Sequence, residues 1–287
     1  MEEDRSAGRH ERIEPFLKWA GGKRGLLHQI KPLVPQGGHD GRYFEPFLGG
    51  GSLFFALRPR RATLADVNEE LIATFATVRS DVEAVIGHLK RLQYEEETYY
   101  RIRSSKPRTE VGRAARFIYL NKTCFNGLYR VNKKGEFNVP FGEHGSSLVV
   151  CDAEQLRAAA QALHGARLGC QDFETTVAQA KQGDTVYFDP PYTAAHADNG
   201  FLEYNAVVFA WEDQRRLART ASNLAASSVN VVVSNADHAS ILRLYDTRRL
   251  FSLHRITRHS TIGAGVDRRF PTTEVVLVSR NLIGATE

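Results

Sequence analysis

The chain has 287 residues, 42% of them hydrophobic, enough to bury a substantial core as one large domain or two smaller ones. Its 38 Lys plus Arg against 33 Asp plus Glu leave a formal net charge of +5, an excess that permits a polyanionic partner without requiring one. No apolar run reaches the roughly 18 residues a bilayer crossing needs, the stretch from Met1 to Arg12 is charged, and the three cysteines form no CxxC pair, which argues against secretion, membrane insertion, a disulfide framework and a zinc site, and for a cytoplasmic protein.

In chain order, residues 1–12 are expected to form a flexible tail. Tyr43 to Phe47 predicts a short strand, broken by Gly49-Gly50-Gly51 and followed by a helix start from Ser52 to Leu57. A second strand over 62–65 ends on Asp66, and Asn68 is placed to cap a helix through Leu71, Ile72 and Phe75. From about Ser80 to Asn121 the pattern is helical and strongly charged. Tyr129 to Pro140 alternates around a Gly-containing turn and predicts a β-hairpin with a basic tip, Lys133-Lys134. The α/β rhythm resumes with a helix near 153 to 164, a strand from Thr185 to Phe188, a helix near 211 to 226 and a strand from Asn230 to Ser234. Arg248 to Ile256 and Glu274 to Ser279 read as two further strands, joined by a basic loop containing Gly263, Gly265, Arg268 and Arg269. Apolar strands separated by helices imply an α/β fold with a mostly parallel sheet covered on both faces, interrupted by an inserted module over 69–150.

Two motifs carry chemistry. Glycines directly after a strand let the backbone approach a bound nucleoside at the point where ligands settle in a doubly wound sheet. The spacing in Phe47-Leu48-Gly49-Gly50-Gly51 is not GxGxxG, yet Asp66, ending the second strand, is placed to accept bonds from ribose hydroxyls. Taken alone, the same features also fit a tight turn and a surface Asp. The second motif, Asp189-Pro190-Pro191-Tyr192, follows the apolar strand directly. Two prolines fix the backbone and remove donors, leaving carbonyl acceptors beside Asp189 and the flat face of Tyr192. Such a site asks for an amino group lying on an aromatic surface. Adenine N6 offers two N–H donors, and a carboxylate with a proline carbonyl would accept both, orienting the nitrogen and stabilising the charge it develops.

Four blocks, Phe16-Leu17-Lys18-Trp19-Ala20-Gly21-Gly22-Lys23, Phe47 to Gly51, Asn121 to Gly142 and Asp189 to Tyr192, resemble the Dam family of DNA adenine-N6 methyltransferases, in the motif order of the alpha group, across nearly the whole chain. The resemblance implies a class I S-adenosylmethionine-dependent methyltransferase fold, Rossmann-like, with a catalytic domain over 13–68 and 151–287 and a mainly helical target-recognition domain, carrying the hairpin, over 69–150. It implies that Trp19, Lys23, Glu45, Phe47, Gly49, Gly51, Asp66 and Asp189 hold S-adenosylmethionine. Asp189 and Pro190 would hold the target amine and Tyr192 would stack on the adenine. Lys18 and Asn126 would contact DNA, with Leu128 on a thymine methyl, Arg130 on a guanine edge and Pro140 in a further apolar base contact. Read from the residues alone, Lys133, Lys134, Arg268 and Arg269 fit phosphate contacts, while Lys133-Lys134 also fits a solvated hairpin tip, Arg268-Arg269 an incidental charge pair and Trp19 a plain core residue. Members with this segment commonly recognise GATC, while Phe125 and Tyr129 stand where the family varies. The expected reaction is methylation of N6 of adenine in double-stranded DNA with the base flipped out, releasing S-adenosylhomocysteine, without a metal and by a monomer.

Cytosine-C5 methylation needs a cysteine nucleophile, typically after a proline, and Cys124, Cys151 and Cys170 follow Thr, Val and Gly. Cytosine-N4 methylation uses similar loop logic and stays open, as do RNA or protein amine targets and a noncatalytic DNA-binding protein on the same fold. A nicotinamide-dependent oxidoreductase is opposed by the glycine spacing and by the Asp-Pro-Pro-Tyr loop.

Overall fold

A computed structural model describes residues 13–35, 41–132, 134–143, 148–192, 209–258 and 272–280. The expected tail, Lys133, and the loop with Gly263, Gly265, Arg268 and Arg269 lie outside the described residues.

Seven strands form one sheet in the order β3-β2-β1-β4-β5-β7-β6. They are β1 (Tyr43–Glu45), β2 (Ala62–Asp66), β3 (Ala166–Cys170), β4 (Thr185–Phe188), β5 (Asn230–Ala236), β6 (Phe251–Arg258) and β7 (Thr272–Ser279). The first five run parallel, and β7 is antiparallel to both β5 and β6. The helices are α1 (Leu27–Ile30), α2 (Ser52–Leu57), α3 (Glu69–Leu89), α4 (Glu96–Ser104), α5 (Glu110–Thr123), α6 (Ala153–Leu163), α7 (Phe173–Val177), α8 (Trp211–Ala226) and α9 (Ala239–Leu242).

Continuous apolar strands bury both faces because alternate side chains leave the sheet on opposite sides. Phe44, Val186, Phe188, Val231 and Val233 enter one core with Phe173 of α7 and Leu217 and Ala221 of α8. Tyr43, Tyr187, Val232 and Val276 enter the other with Phe75 of α3, Ile118 of α5 and Leu156 of α6. That second core is continuous from the sheet through α3 to α5, so residues 69–150 share it with the strands.

Local sequence fixes the helix starts. Asn68 accepts from the Leu71 amide at 3.0 Å, Thr109 from Gly112 at 3.1 Å and Asp152 from Gln155 at 3.0 Å, each satisfying an amide that has no partner within its helix. Helix α3 breaks at Asp81, where φ is −146°. Two elements escape a reading of hydrophobic periodicity. Strand β3, Ala-Arg-Leu-Gly-Cys, has no apolar run and is held as an edge by its full register with β2. The hairpin over 129–140 contracts to one antiparallel bridge, Val131 to Phe137, because the Asn132 side chain takes the amides of Lys134 and Glu136 and tightens the turn.

Candidate active site

The carboxyl edge of the sheet collects the loop after β1, the end of β2 and the loop after β4. Gly49 (φ 48°) and Gly51 (φ 70°) adopt left-handed conformations that side chains resist, and the Gly51 amide closes the turn on the Leu48 carbonyl at 2.7 Å. The glycine loop is tied to β2 from two sides. Leu48 donates to the Ala65 carbonyl at 2.9 Å, and the Gly49 amide donates to Asp66 Oδ2 at 3.0 Å. Asp66 Oδ1 accepts from the Asn68 amide at 3.0 Å. A Cβ on Gly49 would fall 2.6 Å from Trp19 Cδ1, so the missing side chain makes room for the indole. Phe47 stacks on Phe173 with ring centroids 5.5 Å apart.

The N-terminal segment Phe16 to Lys23 brings a lysine to the same edge. Lys23, 4% exposed, lies with its Nζ 2.7 Å from Asp189 Oδ1 and 3.5 Å from Glu274 Oε2, and donates to the Gly21 carbonyl at 3.0 Å. The same ammonium stands 4.6 Å from the Tyr192 ring centroid. The Tyr192 hydroxyl donates to Glu274 Oε2 at 2.6 Å. Burial, and then the charges of Asp189 and Glu274, hold this phenol well above its ordinary range, so it stays a donor. The proline loop is braced from below: the Gln214 amide donates to the Pro191 carbonyl at 3.2 Å and is itself fixed by Asn235 at 3.0 Å. Glu45 is buried and accepts the Tyr43 hydroxyl at 2.8 Å; burial pushes its carboxyl up to about 8, against the bond from Tyr43 and with help from the Asp189 charge. Glu274 was foreseen only as the start of a strand. Its signal in sequence is slight, a single carboxylate opening the apolar run Val275 to Val278.

A second surface is built from the segments around Lys18, Phe125 and Pro140. Buried Asn121 clamps the Lys18 backbone, accepting from its amide at 2.8 Å and donating to its carbonyl at 2.7 Å. Gly127 (φ 63°) passes so close that a Cβ there would sit 2.7 Å from Lys18 Cβ. The Phe125 amide donates to the Pro140 carbonyl at 3.0 Å, and Arg130 Nε donates to Asn138 Oδ1 at 2.8 Å. Lys18, Phe125, Asn126, Arg130 and Pro140 are exposed and Leu128 is half-buried; Lys134 is exposed at the turn beyond them. Tyr129 joins this surface to the glycine loop. Its ring stacks on Trp19 at 5.6 Å and 23°, and its hydroxyl donates to Glu70 Oε2 at 3.0 Å. Among the described residues no group of three or more His, Cys, Asp or Glu could hold a metal, and no helix is long and apolar enough to cross a membrane.

A mostly parallel sheet with one inserted antiparallel strand, a glycine loop after its first strand and a carboxylate-proline-tyrosine loop after its fourth defines a class I methyltransferase fold. Residues 19–262 match the D12 class N6 adenine-specific DNA methyltransferases, and the chain belongs to this family. It is similar to the Type II methyltransferase M1.LlaDCHI of Lactococcus lactis subsp. cremoris, 38% identical over 93% of this chain and 95% of that one. It is also similar to the Type II methyltransferase M.MjaIII of Methanocaldococcus jannaschii, 34% identical over 90% and 95%, and to the DNA adenine methylase of Salmonella typhi, 35% identical over 91% and 93%. The chain is an adenine-specific DNA methyltransferase, and its substrate is DNA.

Proposed function

We propose that this enzyme transfers a methyl group from S-adenosylmethionine to N6 of adenine in duplex GATC sites, acting as a monomer on a base flipped out of the helix. The supporting observation is the pair of buried Lys23 and half-buried Asp189, 2.7 Å apart, against the Tyr192 ring, beside the glycine loop. Residues suited to the methyl donor lie along that loop: the Trp19 and Phe47 rings, the Asp66, Glu45 and Asp189 carboxyls, Lys23, and the backbone of Gly49 and Gly51. Asp66 Oδ2 accepts from the Gly49 amide and Oδ1 from the Asn68 amide, and a carboxylate with about four lone-pair sites keeps capacity for a ribose hydroxyl. S-adenosylmethionine supplies an electrophilic methyl on a sulfonium and departs as the neutral thioether S-adenosylhomocysteine.

The protein's own groups do the rest. Asp189 and the Pro190 carbonyl accept the two N6–H bonds and turn the nitrogen lone pair toward the methyl carbon. Tyr192 stacks on the base and excludes water from one face. As the N–C bond forms and the C–S bond breaks, positive charge grows on N6 beside Asp189, and the surplus N6 proton passes to that carboxylate or to solvent. Residues 69–150 serve target recognition. Arg130 suits a guanine edge, Leu128 and Pro140 suit a thymine methyl and a neighbouring base, and Lys18, Asn126, Lys133 and Lys134 contact the strands around the gap.

The test incubates purified enzyme and methyl-labelled S-adenosylmethionine with duplexes carrying GATC or a one-base variant, then reads label in N6-methyladenine after nucleoside digestion. Label confined to GATC duplexes is expected. Label spread over the variants refutes the site, and label in N4-methylcytosine refutes the acceptor.

A further inference from the structure

The mechanism above leaves the buried acid Glu274, which touches the Asp-Pro-Pro-Tyr loop, without a task. Glu274 opens the described apolar part of β7, is 6% exposed, and accepts the Tyr192 hydroxyl at 2.6 Å while its Oε2 lies 3.5 Å from Lys23 Nζ. Lys23 in turn holds Asp189, so two carboxylates, one ammonium and one phenol close into a ring of contacts around the Asp-Pro-Pro-Tyr loop. A tyrosine ring on its own has two torsions to settle, and the second is broad. Anchoring its hydroxyl on a carboxylate by a charge-assisted bond fixes the ring plane. Glu274 comes from a strand far away in sequence, opposite Ala236 at the end of β5, and meets Tyr192 at its hydroxyl, the edge of the ring.

We propose that Glu274 is a positioning residue of this methyltransferase: through the Tyr192 hydroxyl it sets the plane of the ring against which the target adenine stacks. This rests on the role given to Tyr192 above.

The experiment measures single-turnover methyl transfer, KM values and melting temperature for wild type, Glu274→Ala, Glu274→Gln, Tyr192→Phe and the double variant Glu274→Ala/Tyr192→Phe. A bond to a charged acceptor at this distance leads to an expected loss of about tenfold to a hundredfold in rate for Glu274→Ala and for Tyr192→Phe, with KM for DNA unchanged. The double variant should be no slower than the slower single one, because both changes remove one and the same bond. Glu274→Gln, which still offers an oxygen to the phenol, should recover most of the rate. Losses that multiply in the double variant, or a Glu274→Gln as slow as Glu274→Ala, overturn the proposal. Should Glu274→Ala not fold, the near-isosteric pair decides: a slow Tyr192→Phe beside a fast Glu274→Gln supports it, and a Tyr192→Phe as fast as wild type overturns it. If wild type leaves adenine unmethylated, or Asp189→Ala stays active, the reading of the site fails instead.

Discussion

Glu45→Gln isolates the cost of burying an acid at the end of β1. In the unfolded chain this carboxyl titrates at its ordinary value of 4.5; in the native state burial pushes it up to about 8. Between these values the native state binds the extra proton, so stability from this group is full below pH 4.5 and is lost as pH rises through about 8. The slope is about 1.4 kcal/mol per pH unit and the whole window amounts to about 5 kcal/mol, a large part of a typical domain's stability. Glutamine keeps an oxygen for the Tyr43 hydroxyl, which donates at 2.8 Å, and has no charge to desolvate. Urea denaturation at pH 5, 6, 7 and 8 should show the stability of Glu45→Gln minus wild type climbing by about 1 to 1.4 kcal/mol per unit, every other group cancelling in the difference. Parallel curves for the two proteins across that range would show that Glu45 is ionised in the native site and would refute the reasoning.

Gly49→Ala puts a Cβ 2.6 Å from Trp19 Cδ1 at a left-handed residue; the displaced indole should weaken binding of S-adenosylhomocysteine by at least about tenfold in titration calorimetry, since strained backbone costs about 1 to 3 kcal/mol. Unchanged affinity would mean that Trp19 stands outside the donor site. Arg130→Ala should lower discrimination between GATC and duplexes altered at one guanine by about 1 to 3 kcal/mol in kcat/KM ratios, whereas equal losses on all sequences would make it a phosphate contact. Asn121→Ala removes both clamps on the Lys18 backbone at a 2% exposed position; at about 1 kcal/mol per bond it should lower the melting temperature by roughly 4 to 8 °C and raise KM for DNA.

What the sequence made legible follows from the range of its signals. Val186 to Phe188 and Val231 to Val233 are apolar runs between helices, so parallel burial could be read residue by residue. The Asn68 cap and the break at Gly49 to Gly51 are local rules of backbone conformation and hold as such. Strand β3 was not legible because its pairing is supplied by β2 and not by its own side chains. The glycine loop was legible as a turn, but its close neighbour, the Trp19 ring, comes from a segment thirty residues away, as the contact at Gly49 shows. The link from Tyr129 to Glu70 and Trp19 was hidden for the same reason: each partner looks like an ordinary surface or core residue until the chain is folded.

The topology explains why these distant residues meet. Strand order runs from β1 outward to β2 and β3 on one side, and from β4 to β5 on the other. The loops leaving β1 and β4 therefore diverge at their carboxyl ends, and a crevice opens between them where the order reverses. The glycine loop and the Asp189 loop flank that crevice by construction. Parallel strands deliver only their last residues to this edge. An antiparallel strand runs the other way and delivers its first, so β7, paired through Glu274 to Ala236 at the end of β5, brings to the site a residue that no parallel strand could supply from its start. A carboxylate there meets Lys23 and Tyr192 only when β7 lies between β5 and β6. The antiparallel insertion therefore does more than close the sheet: it closes the ring of contacts that holds the tyrosine.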